Sequence, residues 1–370
     1  MRCLSAHRRE VISPTDTGHL MIQSVSIKNF RCYQDVSLAG LSRINLVVGD
    51  SGSGKTALLE SLFLCASRSP GNAFRLRTWR GAGGAFTVTF GGSTAELFSD
   101  LFRDFDCDNS VKIEVKGTDR HSRVFEAYRT SPTSDTVNLE NPSDSELIQD
   151  FEFAWTNDRG ERSASTPKLK PDGQLSTDGF PGTTINGKYL HTADAFASDV
   201  ALMFGKLDQM QKSQPIVDAM ASEYPMIEAI APLPDATGQA ALYATVKGVQ
   251  RKMPIGFVSG GFARTLGYLL SVASFPGGVL YIDEVESGIY YDRQVSLWSL
   301  LLKMATTHKV QIFATTHSLE CIRAAAEVAK SDVGSFSFIR TERSDSGVST
   351  AKLFDGQQFL DAVTGGVEVR

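Results

Sequence analysis

The spacing of apolar and polar residues predicts strands and helices that alternate at both ends of the chain. Residues 22–27 alternate apolar and polar side chains, the pattern of a strand with one buried face. Val36 and Leu38 begin a second strand. Residues 44–48 form a nearly continuous apolar run, which is typical of a strand buried on both faces of a sheet. After Thr56 the apolar positions take helical spacing.

The middle of the chain is more polar and less regular. Residues 86–90, 111–115 and 124–128 alternate like short strands and predict an antiparallel β subdomain. Residues 131–188 are rich in Ser, Thr, Asp, Gly and Pro, which predicts long loops, at most a weak hairpin and partial disorder. Residues 193–230 return to helical spacing. The apolar face of this helical region would carry Val200, Leu202, Met203, Leu207 and Met210.

From residue 255 onward the pattern again alternates between helices and strands. A helix follows Ser259, and its apolar face would carry Phe262, Leu266, Leu269, Leu270 and Ala273. Further strands are predicted at 279–282 and 310–314, helices at 292–305 and 318–330, a hairpin at 336–339 and 349–353, and a last helix at 357–363. We therefore predict an α/β fold with a mixed central sheet, an antiparallel β subdomain and a small helical insert.

The same pattern divides the chain into four segments. Residues 1–20 are polar and lack periodicity, so we expect a flexible tail. Residues 21–130 and 251–370 form two lobes of one folded unit. Residues 131–250 form a loop-rich and helical insert between these lobes.

Composition excludes several classes of protein. The 370 residues are 42% apolar and carry a net charge of -5, which is not the composition of a uniformly basic nucleic-acid coat. The five cysteines are scattered without a CxxC pair, which argues against a disulfide framework or a zinc site and for the reducing cytosol. No apolar run reaches the roughly 18 residues that span a bilayer, and no signal peptide is recognisable. We expect a cytoplasmic protein without a membrane partner.

Residues 49–56 have the spacing of a phosphate-binding loop. The segment reads Gly49-Asp50-Ser51-Gly52-Ser53-Gly54-Lys55-Thr56 and fits G-x-x-x-x-G-K-[ST] without a mismatch. The glycines let backbone N–H groups turn toward phosphate oxygens, and the following helix adds its positive N-terminus. We expect Lys55 to reach the β- and γ-phosphates of ATP, and Thr56 to bind Mg²⁺. A chance match is a poor explanation because the loop follows a buried strand and opens a helix.

An acidic pair follows the apolar run at 279–282. At the carboxyl end of this strand, Asp283 can hold the Mg²⁺ shell and Glu284 can polarise the attacking water. Any strand can end in acids, so the pair is weak evidence alone. The phosphate-binding loop in the same chain favours the catalytic interpretation.

Two further segments are candidates for nucleotide contacts. Ser259-Gly260-Gly261 begins a helix, where backbone N–H groups bind anions, although a plain N-cap with flexible glycines would have the same sequence. His317 follows the strand at 310–314 and can hydrogen-bond a γ-phosphate or the attacking water. A lone histidine is more often structural. Its position at the carboxyl end of a parallel strand favours a ligand contact.

The order of these motifs resembles the ABC-type ATPase head shared by SMC, RecF and OLD-family proteins, among the AAA-family ATP-binding proteins. The resembling segments are GDSGSGKT, VSGG, VLYIDEVESG and TTHS, and residues 27–31 (IKNFR) resemble the first strand and turn of the family. The resemblance covers about residues 21–130 and 250–370. Within this clan the chain is most similar to the compact ATPases of bacterial anti-phage defence operons.

The resemblance implies an enzyme that binds ATP and Mg²⁺ and hydrolyses ATP between two heads. In such a homodimer, Ser259-Gly260-Gly261 of one head completes the pocket of the other. Glu284 would be the general base, His317 the γ-phosphate sensor, and residues 286–288 the D-loop. Thr56 and Asp283 would hold the metal. The implied nucleotide contacts in the same head are Arg31, Gly49, Ser51, Gly52, Ser53, Gly54, Lys55, Thr56 and Ala57.

The chain departs from the pattern of the family in several places. Residues 287–291 read Ser-Gly-Ile-Tyr-Tyr where relatives often have Asn-Gly-Leu-His-Pro, so the D-loop contacts stay open. The Q-loop glutamine has several candidates between Gln149 and Gln250. OLD proteins usually add a Toprim nuclease domain after the histidine. The residues that follow His317 are too few for one, so we expect any nuclease to be a separate polypeptide.

Residues 61–94 contain arginines and aromatic side chains but no acid. These arginines could contact a nucleic-acid backbone or an acidic partner. Alternatively, they belong to a solvated loop and pair with acids elsewhere in the chain. The residues concerned are Arg68, Phe74, Arg75, Arg77, Trp79 and Arg80.

Three functions fit the sequence. The first is a dimeric or higher homo-oligomeric ATPase that senses a trigger, such as DNA or a phage product, and controls a separate effector (a nuclease or toxin) in anti-phage defence. The second is a RecF-like DNA-repair ATPase that binds DNA directly. The third is a regulatory scaffold that binds ATP and turns it over slowly. The defence role rests on the family resemblance alone.

Overall fold

The computed structural model describes residues 21–67, 70–81, 93–118, 121–131, 150–169, 175–177, 187–191 and 197–365. The expected tail at 1–20 and the strand predicted at 86–90 lie outside these residues, as does most of the predicted loop region between 131 and 188. Cys32, Cys65, Cys107 and Cys321 carry free thiols. Among the described residues, no helix has the length and apolar character needed to cross a membrane.

The strands and helices are numbered in chain order. The strands are β1 (Ile22–Phe30), β2 (Tyr33–Ala39), β3 (Ile44–Val48), β4 (Val111–Gly117), β5 (Ser122–Arg129), β6 (Phe151–Asn157), β7 (Arg162–Ser165), β8 (Pro167–Leu169), β9 (Leu175–Thr177), β10 (Gly187–Leu190), β11 (Ile227–Pro234), β12 (Ala240–Val246), β13 (Met253–Pro254), β14 (Val279–Ile282), β15 (Gln311–Thr315), β16 (Phe336–Arg343) and β17 (Ser349–Asp355). The helices are α1 (Lys55–Ser67), α2 (Pro70–Trp79), α3 (Thr94–Leu97), α4 (Ala197–Gln209), α5 (Gln214–Glu223), α6 (Ile255–Val258), α7 (Gly260–Ser274), α8 (Gln294–His308), α9 (Leu319–Ala329) and α10 (Gly356–Thr364).

Twelve strands form one mixed sheet, in the order β10-β14-β15-β3-β16-β17-β2-β1-β4-β5-β6-β7. In its first part, β10, β14, β15, β3 and β16 run parallel to one another. The carboxyl ends of these strands therefore lie at the same edge of the sheet. The segments that follow β3, β14 and β15 are the phosphate-binding loop, the acidic pair and His317, so the topology brings the predicted motifs together.

The strand β3 is buried on both faces, as its apolar run predicts. Leu46 and Val48 pack in the core beneath α7, α8 and α9. Val47 packs in a second core, which also contains Leu58 and Leu62 of α1. Because α1 follows β3 after the glycine-rich loop, these two cores fix the loop between a buried strand and a buried helix.

The second part of the sheet is antiparallel and corresponds to the predicted β subdomain. Along the order β2-β1-β4-β5-β6-β7 each strand pairs antiparallel with the next, while β2 pairs parallel with β17 on its other side. The strand β6 was not anticipated, because residues 131–188 were predicted to be mostly loops. Its Phe151, Phe153 and Trp155 alternate along the strand and are fully buried. This alternation is the signal that the polar composition of the surrounding region concealed.

The helical insert differs in detail from its prediction. Val200, Met203 and Leu207 of α4 are buried as expected. Leu202 and Met210, predicted on the same face, are instead 57% and 61% exposed. Leu202 is two residues from Val200 and so points to another side of the helix, whereas Met210 follows Gln209, the last residue of α4. The small sheet β11-β12-β13 lies at the end of the insert, where no strand is predicted, and β11 begins within the range predicted as helical.

Candidate nucleotide-binding site

The glycine-rich loop has a backbone that other residues would strain. Gly49, Gly52 and Gly54 have φ angles of +143°, +76° and +112°. Gly49 also lies against β16, where a Cβ atom would approach the backbone oxygen of Thr341 to 2.2 Å. A side chain at position 49 would displace this contact, so the first glycine of the motif is required by packing as well as by conformation.

Two contacts from the sheet support the loop. The hydroxyl groups of Ser53 and Thr341 are 2.7 Å apart, and the Thr341 hydroxyl also donates to the backbone oxygen of Val48 at 3.0 Å. The Tyr33 hydroxyl donates to the backbone oxygen of Gly54 at 3.1 Å. The loop is therefore held from β16 on one side and from the start of β2 on the other.

Lys55 begins α1, and its ammonium group lies inside the loop. The Nζ atom donates to the backbone oxygens of Gly49 and Asp50 at 2.7 and 2.8 Å. Burial lowers the pKa of Lys55, while the neighbouring carboxylates, Asp283 foremost, act in the opposite direction. A buried ammonium that is held mainly by backbone carbonyls can exchange these partners for phosphate oxygens.

The Asp283 carboxylate is fixed by two hydroxyl groups. Thr315, the last residue of β15, donates to Asp283 Oδ1 at 2.6 Å. Thr56 lies 3.2 Å from both carboxylate oxygens. A hydroxyl and a carboxylate from the ends of α1 and β14 are the oxygen ligands that Mg²⁺ prefers, and Mg²⁺ at phosphate sites uses only one or two carboxylates. The predicted metal ligands, Thr56 and Asp283, therefore fit the ion.

Glu284 and His317 face each other at the mouth of the site. His317 Nε2 lies 3.6 Å from Glu284 Oε1, and both side chains are partly exposed. Glu284 has a φ of +51°, and its backbone N–H donates to the Thr315 hydroxyl at 2.8 Å. The His317 backbone N–H donates to Glu286 Oε1 at 2.9 Å. A non-glycine residue in the left-handed region is strained, and such residues concentrate at functional sites.

These elements border one cleft of about 720 Å³, a volume typical of small-molecule sites. The predicted site residues that line it are Arg31, Ser51, Gly52, Gly54, Lys55, Thr56, Ala57, Glu284 and His317. Gly49, Ser53 and Asp283 lie behind this lining, where they support the loop or meet the Thr56 hydroxyl. Residues that sequence reasoning missed also line the cleft, notably Cys32, Phe102, Asp104, Phe105 and Arg343.

Three arginines near the cleft are paired with acids. Arg80 binds Glu60 in a bidentate geometry, with both nitrogen-to-oxygen distances at 2.8 Å. Arg31 lies 3.2 Å from the same Glu60, and Arg77 lies 3.4 Å from Asp100. Of the two interpretations of the arginine-rich segment, this geometry favours pairing with acids elsewhere in the chain. Arg68 lies outside the described residues.

Ser259-Gly260-Gly261 does not line the cleft. Ser259 is the N-cap of α7, and its hydroxyl accepts the backbone N–H of Phe262 at 3.0 Å. Gly261 packs against the D-loop segment, where a Cβ atom would lie 3.2 Å from the backbone oxygen of Gly288. The start of α7 therefore packs on residues 286–288 outside the lining of the cleft, and Glu286 connects this segment to the cleft through its hydrogen bond with the His317 backbone.

A phosphate-binding loop, an acidic pair after β14 and a histidine after β15, on a mixed sheet of this order, define an ABC-type ATPase head. Residues 44–323 match the family described as "AAA domain, putative AbiEii toxin, Type IV TA system". The chain belongs to this family, and it is an ATPase of the SMC- and RecF-like class.

Several known proteins are similar to this chain. An ATP/GTP phosphatase of Helicobacter pylori is 21% identical over 331 residues, which cover 84% of this chain and 89% of the relative. The DNA replication and repair protein RecF of Idiomarina loihiensis is 30% identical over 129 residues, or 33% of this chain and 35% of RecF. An SMC head solved with the C-winged helix domain of ScpA has a TM-score of 0.49 and 14% identity, over 90% of this chain and 97% of that one.

Proposed function

We propose that this ATPase hydrolyses ATP in a head-to-head dimer, in which each active site combines residues of two chains. The observation that carries the proposal is the separation of two groups of residues. The loop, Asp283, Glu284 and His317 surround one cleft, whereas Ser259-Gly260-Gly261 lies on another surface. In the proposed dimer, this second surface faces the cleft of the partner.

Each residue of the cleft has a proposed role in hydrolysis. Lys55 and the backbone N–H groups of the loop bind the β- and γ-phosphates. Thr56 and Asp283 hold Mg²⁺, which when bound neutralises charge on the phosphate oxygens. Glu284 orients the attacking water and accepts its proton, and His317 hydrogen-bonds the γ-phosphate. The partial exposure of Glu284 and His317 leaves room for the water and for the partner chain.

Exposed aromatic side chains support the position of the dimer surface. Tyr290 and Tyr291 follow the D-loop segment after one residue, are exposed, and have ring centroids 4.5 Å apart. Phe257, two residues before Ser259, is also exposed. Aromatic residues are enriched in protein interfaces, where they supply large contact areas. A second copy of this chain would cover these rings as Ser259-Gly260-Gly261 reaches its cleft.

A subunit-mixing experiment tests this arrangement. Lys55→Ala removes the phosphate contact in its own cleft, and Ser259→Arg blocks the surface offered to the partner. Each variant alone should be inactive. A mixture should recover about a quarter of the wild-type rate, because half of the dimers are mixed and each mixed dimer holds one intact site. An inactive mixture of two folded variants, or a fully active Ser259→Arg variant, would contradict the shared site.

We further propose that the ATPase controls a separate effector, a nuclease or toxin, in anti-phage defence. The family description, which refers to a toxin of a type IV toxin–antitoxin system, supports this role. Purification of the protein together with the products of neighbouring genes tests it. A stable complex whose effector activity changes with ATP is expected. A lone ATPase that leaves every neighbouring product unaffected would contradict it.

Direct action on DNA is the second candidate function, since part of the chain is similar to RecF. A RecF-like protein should bind double-stranded DNA, and the affinity should fall steeply as the salt concentration rises. Arg77 and Arg80 are ion-paired within the chain, which gives little support to a DNA surface at these residues. Salt-dependent DNA binding by the isolated protein would favour this function over effector control.

A further inference from the structure

One aromatic ring that lines the cleft is not packed against any other ring of the described residues. The two aromatic residues that line the cleft are Phe102 and Phe105. Phe102 is only 2% exposed and packs edge-on against Phe151, with ring centroids 5.8 Å apart. Phe105 is 70% exposed and, among the described residues, stacks on no other ring. Phe105 therefore presents a free apolar face at the border of the site.

The backbone holds this ring in place at an energetic cost. Asp104 and Phe105 both have left-handed conformations, with φ angles of +55° and +60°. Two consecutive non-glycine residues in this region are strained, and the strain persists only where the surrounding structure imposes it. An exposed ring on a strained backbone gains nothing from the packing of its own chain, which points to a ligand.

The segment that carries Phe105 is anchored on both sides. Before it, Phe102 pairs with Phe30 in a β-bridge, and the Arg31 N–H donates to the backbone oxygen of Leu101 at 3.0 Å. After it, Asp106 accepts the backbone N–H of Asp108 at 3.0 Å. The exposure of Phe105 is thus a feature of an ordered turn.

The same anchors connect the turn to the phosphate-binding loop. Arg31 and Cys32 form the turn between β1 and β2, and the next residue, Tyr33, hydrogen-bonds Gly54 of the loop. Residues 31, 32, 102 and 105 line the cleft together with the loop. If the loop holds the phosphates, the base must lie among the remaining lining residues.

We propose that Phe105 stacks on the purine of the bound nucleotide. This inference rests on the proposed nucleotide site and assigns its base-binding surface. Stacking on an aromatic ring tolerates different bases, because every base presents a π face. The site should therefore bind ATP and GTP with similar affinity, and its affinity for the triphosphate alone should not depend on Phe105.

Steady-state kinetics of three variants test the contact. Phe105→Ala should raise the KM for ATP by about tenfold, a larger effect than on kcat, because it removes one base-stacking contact. Phe105→Tyr should restore the KM, since it keeps the ring. Leu202→Ala, which removes a similarly exposed side chain that does not line the cleft, should leave the KM of the wild type.

Inhibition by inorganic tripolyphosphate separates the base contact from the phosphate contact. The inhibition constant should be the same for the wild type and Phe105→Ala. An unchanged KM for ATP in an active Phe105→Ala variant would overturn the stacking proposal and leave the ATP site intact. Equal losses of ATP and tripolyphosphate binding would also overturn it, because they indicate a general distortion of the cleft.

Two other outcomes of these experiments would each lead to a different conclusion. If Phe105→Ala keeps its KM but needs a higher protein concentration for activity, the ring contacts a second copy of the chain, and the stacking proposal is wrong. If the wild type binds no ATP, the proposed function and the stacking proposal that rests on it are both wrong. The Phe105→Trp variant gives a direct signal, since ATP should quench the fluorescence of the new ring and tripolyphosphate should not.

Discussion

The Thr315 hydroxyl donates a hydrogen bond of 2.6 Å to the carboxylate of Asp283. The same hydroxyl accepts the backbone N–H of Glu284 at 2.8 Å. One buried threonine thus fixes both the proposed metal ligand and the backbone of the proposed general base. The end of β15 positions the acids at the end of β14.

Replacement of Thr315 by valine should impair the response to Mg²⁺. The isosteric side chain leaves the Glu284 N–H without its acceptor and removes a donor from Asp283. We expect about a tenfold higher Mg²⁺ concentration for half-maximal ATPase activity and a loss of about 2 kcal/mol in the free energy of unfolding. Magnesium titrations of the ATPase rate and urea denaturation measure the two effects.

Thr316→Val provides the matched control. Thr316 is also buried, but its hydroxyl accepts the backbone N–H of Ser318 at 3.1 Å. This variant should lose some stability and keep the magnesium dependence of the wild type. If both variants shift the magnesium dependence equally, Thr315 has only a structural role.

The Glu284→Gln variant should still bind ATP but lose most of its hydrolysis activity. The amide keeps the size of the side chain but cannot accept the proton of the attacking water. General-base catalysis contributes about 10²- to 10⁴-fold, so the rate should fall by a factor in that range. Because Lys55 and Asp283 are unchanged, the ATP-bound dimer should accumulate and appear in size-exclusion chromatography with ATP.

The control for this variant is Glu327→Gln, which makes the same chemical change at an exposed position on α9. Its rate and elution volume should match those of the wild type. A wild-type rate for Glu284→Gln would mean that another residue acts as the base. Efficient hydrolysis without dimerisation would contradict the shared site.

The sequence correctly predicted the strands and helices in which the apolar residues form a clear pattern. The predicted ranges 44–48 and 279–282 coincide with β3 and β14, and helices were found where α7, α8 and α9 lie. These elements are buried, so their patterns are imposed by the core itself. The strand β6 was missed because its alternating aromatic residues lie within a region of polar composition.

The contacts that hold the site in place were harder to predict from the sequence than its motifs. Lys55 and Glu284 belong to local sequence patterns, and both line the cleft. Thr341 lies 288 residues from its partner Ser53, and no local pattern links them. Phe105 carries no motif, and only its exposure and backbone conformation mark it. Contacts of this kind depend on topology, which brings distant segments to one edge of the sheet.

The first glycine of the loop should tolerate substitution least. In Gly49→Ala the new methyl group meets the backbone oxygen of Thr341 at 2.2 Å, in addition to the strain of a φ of +143°. Overpacking and backbone strain together should cost about 3 kcal/mol or more in the free energy of unfolding. Urea denaturation without nucleotide measures this loss independently of ATP binding.

The Gly52→Ala variant separates the energetic cost of backbone strain from the cost of a packing clash. Gly52 also has a positive φ, of +76°, but a Cβ atom there would meet nothing within 4 Å. This variant should lose only about 1–2 kcal/mol, the cost of the backbone conformation alone. Equal losses for the two alanine variants would show that the contact with Thr341 does not constrain the loop.

Cysteine reactivity should report on the occupied cleft. Cys32 is partly exposed and lines the cleft, so an alkylating reagent such as N-ethylmaleimide should modify it in the native protein. ATP with Mg²⁺ should slow this reaction by covering the thiol. Mass spectrometry of the modified peptides over time gives the rate at each cysteine.

Three other cysteines serve as internal references in the same experiment. Burial raises the pKa of the Cys65 and Cys321 thiols to about 12. A raised pKa favours the neutral thiol, whereas alkylation requires the thiolate, so both should stay unmodified at pH 8 until the protein is unfolded. Cys107 is partly exposed and does not line the cleft, so ATP should not alter its rate. Equal protection of Cys32 and Cys107 would indicate that ATP acts through a general change in the protein, and unprotected Cys32 would place the nucleotide elsewhere.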